Sequence, residues 1–202
     1  MSLEEYINLK KENIIKLVKK DDKISLDKEN VFEKLQTTEV CKKCKGYCCT
    51  FFPKVFSPSD FLDLNDFEYL KSILDTGLIN VQLIDEMWVL RPRGKIITNS
   101  IISYNEYYNS CILYDSNIGC MLPVEFRPTG CLLFLIGKSK TKTPSCEKHI
   151  NLYSKELYLK DYEKYQNTLK KIYLEYYEKQ ILIGDVNSER VNKLVRTIRR
   201  EN

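Results

Sequence analysis

The chain has 202 residues, eight of them cysteine, and its 32 basic and 28 acidic side chains leave a formal net charge of +4. That length supports a hydrophobic core without cross-links, which excludes the miniature disulfide-stapled class. The near balance of charge leaves no electrostatic footprint of a nucleic-acid binder, and the longest wholly apolar run, Cys131–Ile136, is far too short to cross a bilayer.

Ser2 and Glu5 have capping-box spacing. Tyr6, Leu9, Ile14, Leu17 and Val18 follow as an apolar stripe at helical steps, so the chain is expected to open with a helix. These opening residues are charged from Glu4 and lack an apolar signal core, which points to a reduced, cytoplasmic setting. A second helix is expected over about 26–36 after Ser25. Beyond the first cysteines, Ser57-Pro58-Ser59-Asp60 reads as a helix start, with Ser57 as cap and Pro58 in the first turn. Asn65 or Asp66 restarts a helix that Gly77 ends. Asn80–Leu83 and Met87–Leu90 read as strands joined near Asp85-Glu86.

From about 152 to 182 the pattern is strongly helical, with Tyr158, Tyr162, Tyr165, Leu169, Ile172 and Tyr176 forming an apolar-aromatic seam fit for packing. A last helix over about 188–200 carries Val191, Leu194, Val195 and Ile198 on one face. Its Arg190, Lys193, Arg196, Arg199 and Arg200 form a solvated basic face with no interleaved aromatic to stack on a base.

The most informative segment is Cys41-Lys42-Lys43-Cys44-Lys45-Gly46-Tyr47-Cys48-Cys49. Four cysteines in a lysine-rich stretch have no core to hide in, and the Cys-x2-Cys spacing lets one tight turn aim two sulfurs at one ion. Cys111, Cys120, Cys131 and Cys146 bring the donor set to eight. Gly46, Gly119 and Gly130 lie within two residues of Cys48, Cys120 and Cys131, where backbone freedom lets N–H groups turn toward sulfur. Lys42, Lys43, Lys45 and Arg127 are available to balance a negatively charged thiolate centre, and Tyr47, Phe51, Phe52, Pro53 and Phe56 to shield it. Adjacent side chains diverge, so Cys48 and Cys49 imply either two centres or one ligand beside a second thiol. His149, the only histidine, lies three residues after Cys146 and either replaces a thiolate or opens the next helix. In a reducing compartment this count favours metal over disulfides, as zinc or an iron–sulfur cluster.

Cys41-x2-Cys44-x3-Cys48-Cys49, the Phe56–Asp60 helix start, Gly119-Cys120 and Arg127-Pro128-x2-Cys131 together resemble the YkgJ-type cysteine-cluster family, a zinc- or iron-chelating domain. The resemblance spans about 40–146 and implies metal binding through these cysteines. A longer relative of that group, the flagellin lysine N-methylase, implies an alternative: an iron–sulfur-dependent enzyme, or enzyme component, that modifies a protein side chain. A third reading is a zinc-stabilised interaction module that meets a protein partner through the C-terminal helices. No phosphate loop or nucleophile elbow marks an active site, so catalysis stays open. The expected fold is mainly α, or α+β if 78–104 supplies a small hairpin. It is a single compact domain over 1–202, with a cysteine-cluster metal-binding core at 38–149 and flanking helices at 1–37 and 150–202.

Overall fold

The computed structural model describes residues 1–18, 26–35, 49, 55–84, 86–94, 111–135, 150–151, 160–176 and 186–201. The described chain is mainly helical, with three two-stranded antiparallel ladders. Among the described residues no helix is long and apolar enough to cross a membrane.

Helix α1 (Leu3–Leu17) begins with the expected capping box. The Ser2 hydroxyl accepts from the Glu5 N–H at 3.1 Å and the Glu5 carboxylate accepts from the Ser2 N–H at 2.7 Å. Its inward line differs from the apolar stripe. Tyr6, Lys10, Ile14 and Leu17 are buried, whereas Leu9 is 42% exposed. Steps of four, four and three keep those four residues on one side, and Leu9 falls about 95° away from their mean direction at 3.6 residues per turn.

Helix α2 (Val31–Leu35) starts later than the expected 26. The reason is local: the Asp27 carboxylate accepts from the Glu29 and Asn30 N–H groups, each at 3.0 Å, and folds 27–30 into a turn. Ser25, the expected cap, lies outside the described residues. Ile14 and Leu17 of α1, Val31 and Leu35 of α2, and Leu132 and Leu133 form one apolar cluster.

The Ser57 start makes a single 3-10 turn, Pro58–Asp60, because Phe61 is extended. Helix α3 (Phe67–Asp75) is capped by Asp66, whose carboxylate accepts from the Tyr69 N–H at 3.0 Å. Gly77, at φ 70°, leads away from its C-terminus. Strands β1 (Ile79–Ile84) and β2 (Met87–Pro92) then pair from Ile79↔Pro92 to Ile84↔Met87, and Glu86 takes φ 67° at the turn.

Among the described residues no third strand covers the outer edge of β2, and other groups take its hydrogen bonds. The Phe56 N–H donates to the Leu90 carbonyl at 2.9 Å, and the Leu90 N–H donates to the Tyr162 hydroxyl at 3.2 Å. Gln166 brackets Trp88, accepting from its N–H at 2.8 Å and donating to its carbonyl at 3.0 Å. An edge whose hydrogen bonds are already taken is a poor template for another strand. Several short elements separate β2 from the helix that Gln166 opens.

Those elements are strands β3 (Tyr114–Asp115) and β4 (Gly119–Cys120), a 3-10 turn at Val124–Phe126, the helical turn Thr129–Leu133, and strands β5 (Phe134–Leu135) and β6 (Ile150–Asn151). Helix α4 is Gln166–Tyr176 and helix α5 is Ser188–Ile198. The expected long helix over 152–182 is interrupted: 160–163 are helical, 164–165 form a turn, and α4 follows. The seam nevertheless packs as expected. Tyr162, Leu169 and Ile172 are fully buried, Tyr165 and Tyr176 lie against the main core, and Tyr158 is outside the described residues.

Helix α5 presents Val191, Leu194 and Ile198 to the core and Lys193 and Arg196 to solvent. It is fastened to α3 at both ends. The Tyr69 hydroxyl donates to the Ile198 carbonyl at 2.7 Å, and Arg190 Nε donates to the Thr76 carbonyl at 3.0 Å. Each contact satisfies a helix-end carbonyl that the helix itself leaves open. Burial pushes the Tyr69 hydroxyl far above the ordinary tyrosine range.

Tyr162→Phe is expected to cost about 1–3 kcal/mol, because it strands the buried Leu90 N–H and the Phe56 carbonyl, bonded at 2.8 Å, without changing the ring. Urea denaturation with an unchanged slope checks this.

Asp66 is held below the ordinary aspartate value of 3.8, first by the Tyr69 N–H and then by Arg200. A depressed carboxyl contributes stability above its unfolded pKa, and that contribution is lost as the pH falls through the folded value. Melting temperatures of wild type and Asp66→Asn should therefore differ most near neutrality and converge in acid.

Candidate functional site

The cysteines divide by what the structure describes. Cys41, Cys44, Cys48 and Cys146 lie outside the described residues, as do Lys42, Lys43, Lys45, Tyr47, Phe51, Phe52, Pro53 and His149. Cys111 is buried in the main core, Cys49 and Cys120 are half-buried against it, and Cys131 is half-buried on the helical turn Thr129–Leu133.

Cys49 and Cys111 are far apart in sequence and adjacent in space. The Cys111 N–H donates to the Cys49 carbonyl at 2.5 Å, and Cys111 also bridges Gly94 of the segment leaving β2. The Ile112 N–H donates to the Arg93 carbonyl at 2.8 Å, which fastens the same junction. The chain then reverses at once. The Tyr114 N–H donates to the Cys111 carbonyl at 3.0 Å, Tyr114 pairs with Cys120, and the Met121 N–H donates to the Leu113 carbonyl at 2.8 Å. Gly119 makes that pairing attainable, since its φ of 85° is readily adopted only without a Cβ. Cys49, Cys111 and Cys120 therefore lie along one short, hydrogen-bonded backbone path.

Cys131 is joined to this region by a compact loop. Arg127, itself buried, folds back so that its Nε donates to the Leu122 carbonyl at 3.0 Å. The Phe126 ring stacks on Tyr6 of α1, with centroids 4.9 Å apart and planes at 8°. Phe56, read as a shield for the cysteines, is fully buried in the main core, tilted against Phe61.

A buried polar hub underlies the site. Lys10 and Asp60, each only 1% exposed, form an ion pair of 3.0 Å. Lys10 Nζ also donates to the Arg127 carbonyl at 2.5 Å. One Asp60 oxygen accepts from the Ser57 N–H at 2.8 Å and the Thr129 N–H at 2.9 Å, and the other accepts the Thr129 hydroxyl at 2.5 Å. The Tyr6 hydroxyl donates to the Asp60 main-chain carbonyl at 3.1 Å. Burial, and next the Asp60 charge, push that hydroxyl well above its ordinary range, so it remains a neutral donor.

Sequence reasoning singled out neither Lys10 nor Thr129, and gave Asp60 no role beyond its place in a helix start. A signal for Lys10 existed. It stands four residues from both Tyr6 and Ile14, so a lysine on that line must meet a buried anion.

Among the described residues, no three histidine, cysteine or acidic side chains form a metal-holding group. Cys49, Cys111 and Cys120 could each offer a soft sulfur donor, of the type that zinc and iron–sulfur clusters take. Comparisons of the chain with protein-family models, curated proteins and solved structures found no match.

Asp60→Ala is expected to cost about 3–5 kcal/mol, because it leaves the buried Lys10 ammonium uncompensated. Lys10→Met should cost less, since three donors still face the carboxylate. In a chemical-denaturation double-mutant cycle, Lys10→Met with Asp60→Asn should cost less than the two single changes added together.

Proposed function

We infer that this chain is a metal protein that holds zinc or an iron–sulfur cluster through thiolates drawn from Cys41, Cys44, Cys48, Cys49, Cys111, Cys120, Cys131 and Cys146. The observation that carries the reading is the Cys111–Cys49 backbone hydrogen bond, which brings the last cysteine of the dense segment beside the first of the later four. Two sequence-distant cysteines that lie side by side support a centre shared between the early and the later thiols. Further support comes from the Cys-x2-Cys pair and from Gly119, whose left-handed turn sets Cys120 against Tyr114. The spacings that resemble the YkgJ-type family agree with this assignment.

When bound, such a centre supplies a cross-link between distant segments and, as an iron–sulfur cluster, one-electron chemistry. The chain's own residues do the rest. The main core buries Cys111 and limits access of water from that side. The β3–β4 reversal holds Cys120, and the Arg127 contact with Leu122 closes the loop that leads toward Cys131.

Protein purified without oxygen should carry stoichiometric iron or zinc by elemental analysis, with visible absorption distinguishing a cluster from zinc. Complete metal removal should lower the melting temperature sharply, since structural zinc contributes about 10 kcal/mol, on the scale of a whole fold. Cys48→Ser and Cys49→Ser should lose unequal amounts of metal, because neighbouring side chains diverge. A folded, metal-free chain with eight titratable thiols would refute the reading.

A further inference from the structure

Cys49 and Cys111 meet for a reason that begins in the sequence. Cys49 is helical, and the helical partner of its carbonyl would be the N–H of residue 53. Residue 53 is proline, which has no N–H to give. The carbonyl accepts from the Cys111 N–H at 2.5 Å instead.

That contact limits how far apart the two side chains start. Standard Cα–C, C=O and N–Cα bonds added to the 2.5 Å hydrogen bond keep the two Cα atoms within about 6.7 Å of each other. A disulfide joins Cα atoms about 4.4–6.8 Å apart. Cys111 is buried in the main core and Cys49 packs against that same core, so both side chains leave the backbone toward one apolar cluster. The other two described cysteines face different neighbours. Cys120 pairs with Tyr114, and Cys131 sits on a helical turn, its N–H bonded to the Pro128 carbonyl at 2.7 Å. Access also separates the two adjacent thiols. Cys111 is only 6% exposed and Cys49 is half-buried, so a small oxidant reaches Cys49 first. An accessible thiol beside a second one that can resolve it is the arrangement of a redox-responsive cysteine.

We propose that Cys49 and Cys111 are a peroxide-responsive thiol pair that closes to a reversible disulfide, with Cys49 as the attacking sulfur and Cys111 as the resolving one. The inference goes beyond the metal reading and needs no bound ion. The Cys49 sulfur attacks one oxygen of hydrogen peroxide. The O–O bond breaks, Cys49 becomes a sulfenic acid, and the departing hydroxide takes the thiol proton and leaves as water. The Cys111 sulfur then attacks the Cys49 sulfur. The S–S bond forms, the S–O bond breaks, and the Cys111 proton leaves with the hydroxide as a second water. Two electrons pass from the two sulfurs to the peroxide. In a reducing compartment such a bond is transient, because a dithiol restores both thiols by exchange. While closed, it ties off a loop that contains α3 and the β1–β2 hairpin and withholds both sulfurs from any metal.

The test uses the full chain, reduced with dithiothreitol, treated with a chelator and desalted without oxygen. One equivalent of hydrogen peroxide should remove two thiols per chain, and dithiothreitol should restore them. Tandem mass spectrometry of the unreduced digest should place the bond between Cys49 and Cys111. The same oxidation in urea should lose that selectivity, since the pairing depends on the folded contact. In Cys111→Ser the sulfenic acid of Cys49 should persist and be trapped by dimedone, and Cys48→Ser should still lose two thiols. A folded wild-type chain that loses no thiol, that joins Cys48 to Cys49 or any other pair in preference, or that carries Cys49 on to sulfinic acid without a disulfide overturns the assignment. These readouts come from wild type, so they decide the matter even where a variant fails to fold. A chain that closes the Cys49–Cys111 bond yet takes up neither zinc nor iron refutes the metal reading and leaves this one in place. A chain that holds metal and, once stripped, forms no such bond does the reverse.

Discussion

The described structure turns on the carboxylate of Asp60. A buried ion pair is weak evidence for stability, because desolvating two charges offsets much of their attraction. The Asp60 site differs from a bare pair in its completeness. Main-chain N–H groups, a hydroxyl and an ammonium converge on the carboxylate, while Lys10 finds a second acceptor in the Arg127 carbonyl. A network satisfied to this degree specifies geometry: α1, the turn after the first cysteines and the turn carrying Cys131 have one mutual arrangement that leaves no donor stranded.

The same arrangement explains how one chain supports two apolar clusters. Helix α1 contributes Tyr6 to the main core and Ile14 and Leu17 to the smaller cluster, with Lys10 between them. The polar layer lies at the seam. The other half of the fold solves a related problem with neutral groups, where Tyr162 and Gln166 take the hydrogen bonds of the β2 edge and Tyr69 and Arg190 close the ends of α5 and α3. In both halves a long side chain from one element satisfies main-chain groups of another. The turn that carries Cys131 is thereby held by hydrogen bonds to buried side chains.

Local chemistry made some elements legible from sequence and hid others. Asp66 and Gly77 bracket α3 because a side-chain cap and a left-handed glycine act through nearest neighbours. The β1–β2 hairpin and the buried faces of α4 and α5 followed from periodicity, which reports on one element at a time. Failures occurred where a distant partner or a competing turn decided. Lys10 displaced Leu9 from the inward line of α1 because Asp60 waits inside, and Asp27 spent the first turn expected of α2 on a side-chain-bonded turn. Of the candidate site, the cysteines were legible as a list of candidate donors. The meeting of Cys49 with Cys111 depends on a long-range backbone contact that spacing does not encode.

The position of Lys10 also bears on how the chain folds as it is made. Helix α1 precedes Asp60, Arg127, Leu132 and Leu133, which complete its inward face. At about 5–20 residues per second, the helix waits on the order of ten seconds for the last of these partners. During that interval Tyr6, Ile14 and Leu17 are open to other chains, and an uninterrupted apolar stripe would be adhesive. A charged ammonium midway along the stripe breaks it into two short patches and keeps the nascent helix hydrated. The residue that locks the finished fold thus also guards the unfinished one.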